Sequence, residues 1–331
     1  MINALKAFLL AFVLAGPALA RDADVRGITI STHGVGHDWG SDAIVPTLED
    51  IRAVGANWVA IHPYAHISAD GSLRWSRIDP DSPPAHIIRP IHEAHRLGLN
   101  ICIKPHVAYW RSPFSWRGEI TFQNDEDWRR FWRGYQEWII QLAVVCREAD
   151  GFVVGTELDR TLAFEAEWRG LIEEVRKHTD APLTYAANWT DYERVPFWDA
   201  LDVIAVQAYF PLTDDPDYDE RDIRDGWAAR MRQLSDYGTR QNRNILFTEL
   251  GYNQSHQAPL KPWAYPVDGE AALPVQVFCL RTALAAIARE PRVVGALLWK
   301  WFPHPHPVGR NFQLAIPPMK RVIAEAWLDP Q

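Results

Sequence analysis

From position 26 onward, short apolar runs alternate with longer stretches in which apolar residues recur every three or four positions. Compact apolar runs fit buried strands, and the longer periodicity fits helices with one buried face. The runs predict eight strands, over 27–32, 56–62, 99–104, 151–156, 183–188, 202–208, 244–249 and 293–300. Helical spacing covers 47–54, 84–97, 125–148, 163–178, 222–236 and 273–290. A strand-helix alternation carries the chain back over the sheet each time, so the strands should run parallel. Eight such units predict an α/β protein built as a single (β/α)8 TIM barrel over 21–331. His33-Gly34-Val35-Gly36 lacks the third glycine of a dinucleotide fingerprint, which argues against a doubly wound nucleotide-binding sheet. Two long connections, 211–220 and 253–268, follow the sixth and seventh strands, where a barrel builds its active face.

The first twenty residues have a different pattern. Lys6 precedes an apolar run, and Gly16, Pro17 and Ala18-Leu19-Ala20 lead to Arg21. This predicts a secretory signal peptide over 1–20, too short for a membrane span. A secreted or periplasmic protein, free of the membrane after cleavage and monomeric, is expected.

The 331 residues are 47% hydrophobic, enough for a sizeable core. A formal charge of −8 without a basic stripe argues against nucleic acid as a partner. The 16 Trp exceed what such a core needs, and a cleft that stacks sugar faces has a use for the surplus. Cys102 lies in a strand run and Cys146 and Cys279 in helical runs, so three buried free thiols are expected in preference to a bridge.

Charged residues at strand ends are the informative ones in a barrel. Glu157 ends the fourth run, Gly151-Phe-Val-Val-Gly-Thr-Glu, and Glu249 ends the seventh, Asn244-Ile-Leu-Phe-Thr-Glu. Strands four and seven lie nearly across a barrel from each other, so the two carboxyl groups can converge over its axis. Glycoside hydrolysis needs such a pair: one acid to protonate the leaving oxygen, and one carboxylate to attack the anomeric carbon or activate water. The alternative is that each Glu pairs with a nearby Arg or Lys.

The GTEL run at 155–158, QAYF at 207–210, FTELGY at 247–252 and LLWKWFP at 297–303 resemble clan A retaining glycoside hydrolases, in particular glycoside hydrolase family 113. The resemblance runs over most of the chain after residue 20. It implies a (β/α)8 barrel with acid/base Glu157 and nucleophile Glu249, acting without a cofactor on a β-linked polysaccharide or oligosaccharide such as β-mannan. Most of the clan carries Asn before the acid/base Glu to bond the sugar 2-hydroxyl, and here that position is Thr156.

Further candidates sit at the same barrel mouth. Tyr209 can donate to Glu249 and hold it ionised. Trp299 and Trp301 flank Lys300, and Trp301, nearer the strand end, is expected as the floor under the reacting sugar. His62, Tyr64, Lys104 and His106 follow strands two and three and can bond sugar hydroxyls. Asn188 and Trp189 follow strand five, and Trp110 and Trp116 lie in the loop after strand three. Two rival readings remain. One is a metal-dependent barrel hydrolase drawing on His33, His37, His62, His106, His304 and His306, although strand one lacks a terminal His-x-His. The other is a barrel that binds glycan without cleaving it.

Overall fold

The eight apolar runs each form a strand, and the strands close on one another. The computed structural model describes residues 24–303 and 311–328, so the predicted signal peptide, His304 and His306 lie outside the described residues. In chain order the strands are β1 (Val25–Ile30), β2 (Trp58–Ile61), β3 (Tyr64–Ile67), β4 (Leu73–Trp75), β5 (Asn100–Ile103), β6 (His106–Ala108), β7 (Gly151–Thr156), β8 (Leu183–Asn188), β9 (Ile204–Gln207), β10 (Ile245–Leu250) and β11 (Val293–Trp301). The helices are α1 (Ile44–Ala53), α2 (Ala85–Arg96), α3 (Asp125–Val145), α4 (Glu165–Val175), α5 (Glu220–Gln241), α6 (Leu273–Arg289) and α7 (Pro317–Leu328). The closed barrel runs β1-β11-β10-β9-β8-β7-β5-β2 with parallel neighbours throughout.

The barrel is filled by small and medium side chains. Val25, Ala60, Cys102, Val153, Ala186 and Leu297 form an interior cluster, capped by parts of Trp58 and Leu246. Gly27 belongs to this layer, because a Cβ there would sit 2.3 Å from Leu297 Cδ2. Outside, the helices pack on the alternate strand residues in one large core that includes Trp138, Trp168 and Trp227. Many of the 16 Trp are therefore structural. The preceding turn and α6 (Glu270–Arg289) have the length and apolarity of a membrane span. In the fold α6 packs against α5 and α7 and buries Cys279, Leu280 and Ala283. All three cysteines are buried and free.

Three features depart from the sequence pattern. A small sheet, β4-β3-β6, follows the second and third barrel strands. The helices also differ from the expected set, since the link from β8 to β9 contains only the short turns Tyr192–Arg194 and Trp198–Ala200, while α7 follows β11 where the pattern predicts no helix. The third feature bears on function. The ladder register slips between Val153 and Thr156 on β7, between Phe247 and Glu249 on β10, and where Thr29 and Ile30 of β1 face Trp299 and Trp301 of β11. Such bulges occur at barrel rims and re-aim side chains, and here they fall at the outlets of the strands bearing Glu157, Glu249 and Trp299.

Candidate active site

A cavity of about 350 Å³ opens at the C-terminal ends of the strands. Glu157 and Glu249 both line it, with His106, Trp116, Asn188, Trp189, Tyr209 and Trp299 among the residues expected there. Glu157 leaves β7 with φ of 51°, a left-handed conformation unusual for a side chain of this size. Its backbone is held by Glu157 N–H donating to the Ala186 carbonyl at 2.9 Å and by Leu158 N–H donating to the Tyr185 hydroxyl at 2.7 Å. Those bonds fix the strand-to-turn exit and direct the carboxyl over the barrel.

The two carboxyl groups have opposite surroundings. Burial pushes the Glu157 carboxyl up to about 7; Arg117 opposes this, and the Glu249 charge adds to it. Trp116 also contributes a side-chain hydrogen bond to Glu157. For Glu249, burial acts in the same upward direction, but Lys104, Tyr209 and Arg117 outweigh it and hold the carboxyl below its ordinary value. Lys104 Nζ donates to Glu249 Oε1 and to the Thr248 carbonyl at 2.9 Å, while the Tyr209 hydroxyl donates to Glu249 Oε2 at 2.7 Å. His106 Nε2 stands 3.6 Å from Oε1, and burial keeps its imidazole neutral by driving its pKa well down.

The other sequence candidates fall elsewhere. Trp301 does not floor the cavity. Period-two alternation would give it the same facing as Trp299, but the bulge pairs Trp301 with the outward Ile30. Trp301 therefore packs in the outer core with Lys320 over its ring, and Trp299 alone of the two reaches the site. His62 is fully buried behind the wall, with its ring 5.0 Å from that of His106 and 5.2 Å from that of Trp299. Tyr64 and Trp110 pack against each other at 5.2 Å and do not line the cavity. Lys104, also buried, acts on the cavity through Glu249. Among the described residues, no three His, Cys, Asp or Glu side chains converge as metal ligands would.

Several lining residues were not anticipated. Arg117 and Tyr109 come from the loop after the third barrel strand, Trp263 and Tyr265 from the 253–268 connection, and Phe312 from beyond β11. Trp263 stacks on Trp189 with centroids 5.5 Å apart, making a flat aromatic wall. Asn253 accepts from Phe312 N–H at 2.6 Å and donates to the Ala264 carbonyl, tying these segments together. The length of the 253–268 loop was the only sequence signal for its two aromatics.

Asp159 was also missed. Buried two residues after Glu157, with Oδ1 unbonded, it faces Asp191 at the end of the loop carrying Asn188, Trp189 and Thr190. Burial and the Asp191 carboxylate push the Asp159 carboxyl up to about 8. Hydrogen bonds from Thr190, Asp159 and Arg194 outweigh burial at Asp191 and keep its pKa low. A carboxyl with a raised folded pKa contributes stability that is complete below its unfolded pKa and lost as pH rises through the folded value, here from about pH 4 to about pH 8. Asp159→Asn keeps a neutral donor, so its Tm should gain on the wild-type Tm more at pH 8 than at pH 5. Equal differences at the two pH values would contradict a protonated Asp159.

The sequence profile described as Glycoside Hydrolase Family 113 matches residues 28–309. Comparison with curated proteins finds no match. Among solved structures, the chain is similar to a family 113 β-mannanase from Alicyclobacillus acidocaldarius in complex with ManMIm, with TM-score 0.79 and 26% identity over 92% of this chain and 97% of that one. A family 113 β-1,4-mannanase shares the fold at TM-score 0.79 and 21% identity, over 92% of this chain and 99% of that chain. A family 5 mannosidase from Rhizomucor miehei shares it at TM-score 0.60 and 12% identity, over 92% of each chain. With the profile spanning the barrel and both Glu-bearing strand ends, the chain belongs to glycoside hydrolase family 113.

Proposed function

We propose that the protein is an exported, monomeric β-mannanase that cleaves β-mannan or glucomannan by double displacement, with Glu249 as nucleophile and Glu157 as acid/base. The observation that carries this reading is the division of proton states within one cavity. At neutral pH Glu249 is an ionised, aimed carboxylate, while Glu157 titrates near 7 and can give and take a proton. The mannanase activity of the relative from Alicyclobacillus acidocaldarius supports the choice of sugar. Lys6 and the apolar run after it support export.

In the first step Glu249 attacks the anomeric carbon, the glycosidic C–O bond breaks, and the leaving oxygen takes the Glu157 proton. Glu157 then removes a proton from water, which attacks the same carbon and releases Glu249. Tyr209 and Lys104 hold the nucleophile through both steps. Trp299 offers a stacking face beside the carboxyl pair, and the Trp189–Trp263 wall offers another for a flanking sugar. The purified protein should release new reducing ends from β-mannan and glucomannan faster than from xylan, β-glucans or peptidoglycan. Product analysis on all five separates this specificity from the reaction class.

Lys104 is the largest influence holding the Glu249 pKa down. Lys104→Met should raise that pKa and move the acidic limb of the kcat/KM profile to higher pH by about one unit or more. An unmoved limb would mean that Glu249 does not set it.

A further inference from the structure

We propose that Arg117 recognises a carboxylate on the substrate, so that among β-mannosides those carrying a hexuronic acid at the sugar that departs when the bond breaks are preferred. The inference rests on the reading of Glu157 as the acid, and it deepens that reading by naming the chemistry of the leaving side.

Arg117 lies in the short turn Arg117–Glu119, with its side chain only 10% exposed and lining the cavity. Its guanidinium makes no hydrogen bond among the described residues. The nearest carboxylate oxygen, Glu157 Oε2, is 3.6 Å from a terminal nitrogen, and Nε is buried without a partner. The group also lies over the Tyr109 ring, 5.8 Å from the centroid. By contrast Arg169, far more exposed, donates to Glu165, twice to Asp199, and to the Pro196 carbonyl. A buried guanidinium with its fork of donors unused and facing a cavity is arranged for an acceptor that arrives with the substrate.

Charge narrows the acceptor. Lys104 is matched by Glu249, with which it is in direct contact. Among the described residues Arg117 has only Glu157 as an ion-pair partner, at 3.6 Å, and Glu157 must carry a proton to act as the acid; the Glu249 charge, which also favours the guanidinium, is already bonded by Lys104 and Tyr209. A sugar hydroxyl would use one donor and leave the charge unmatched, whereas a carboxylate takes two parallel N–H bonds and neutralises it in a site of low dielectric. Position assigns the sugar. The nucleophile side is filled by Lys104, His106 and Tyr209, while Arg117 stands beside the carboxyl that protonates the leaving oxygen.

The test compares β-linked mannooligosaccharides with the same oligosaccharides oxidised at C6 to uronates, using the whole protein. Wild type should show about tenfold or greater preference in kcat/KM for the oxidised form. Arg117→Gln should bring that ratio near unity and Arg117→Lys should keep part of it. Because the readout is a ratio, any change in Glu157 acidity caused by losing Arg117 cancels. Equal rates on the two forms, or an Arg117→Gln variant that slows both alike, would overturn the proposal and leave the proposed function standing. Calorimetric binding of the same pair to Glu249→Gln reads the preference without turnover. If wild type cleaves neither form, the proposed function fails, but tighter binding of the uronate that Arg117→Gln abolishes would still uphold this inference. Equal binding would overturn it.

Discussion

Replacing Glu249 with alanine should lower kcat by about 10⁵-fold on every substrate, whatever the leaving group, because no covalent intermediate can form. An activated aryl β-glycoside needs no proton to depart, so it would escape the defect if Glu249 only assisted protonation. Initial rates on β-mannan and on an aryl β-mannoside decide the point. Comparable losses on both support the nucleophile, and a loss confined to mannan would reverse the two roles. The substitution also takes the partner from Lys104, which is fully buried. Uncompensated buried charge costs about 3–5 kcal/mol when one partner is removed. Glu249→Gln, which keeps an acceptor oxygen for Lys104 and presents an amide N–H that the Tyr209 hydroxyl can accept, therefore serves as the folded control.

The complementary variant has a different signature. Glu157→Ala removes the proton donor but leaves Glu249 aimed, so turnover of mannan should fall by about 10³-fold or more while an aryl β-mannoside still forms the intermediate. Hydrolysis of that intermediate then lacks its base. Azide, which needs no deprotonation, should restore turnover and give a glycosyl azide of retained configuration. Rescue of Glu249→Ala instead, with inverted product, is the ordinary behaviour of a lost nucleophile. Rescue of Glu249→Ala with retention, or of neither variant, would contradict the assignment. Stability should move in the other direction, because Glu157→Ala removes a carboxyl whose charged form burial opposes.

The strands were legible because each is a short, mostly apolar run buried on both faces, and such runs have few other places to go. The two carboxylates were legible for the same reason, since a charge at the end of a buried run must face the barrel mouth. Tyr209 could be placed because it follows the sixth run at the height of Glu249. Where the reading rested on strict alternation it failed, and Trp301 shows why. One extra residue at Lys300 flips the parity of β11 beyond Trp299, and no sequence pattern marks that bulge. Tyr109 and Trp110 show the same limit in a loop: of two adjacent aromatics, the one in the cavity was not the one expected. Arg117 was hidden because its meaning comes from a contact with Glu157 across forty positions of sequence. Asp159 was hidden because its burial against Asp191 depends on how two loops meet.

Trapping tests the central claim most directly. A 2-deoxy-2-fluoro-β-mannosyl donor with a good leaving group slows both steps but spares formation of the intermediate relative to its hydrolysis. Incubation with the protein, followed by peptide mass analysis, should show one fluoroglycosyl group per chain, esterified to Glu249 in the peptide containing Phe247-Thr248-Glu249-Leu250. Glu157→Ala should accumulate the same adduct, and Glu249→Gln should accumulate none. A label on Glu157 or on another carboxylate, or turnover of β-mannan to a product of inverted configuration with no label at all, would contradict the account.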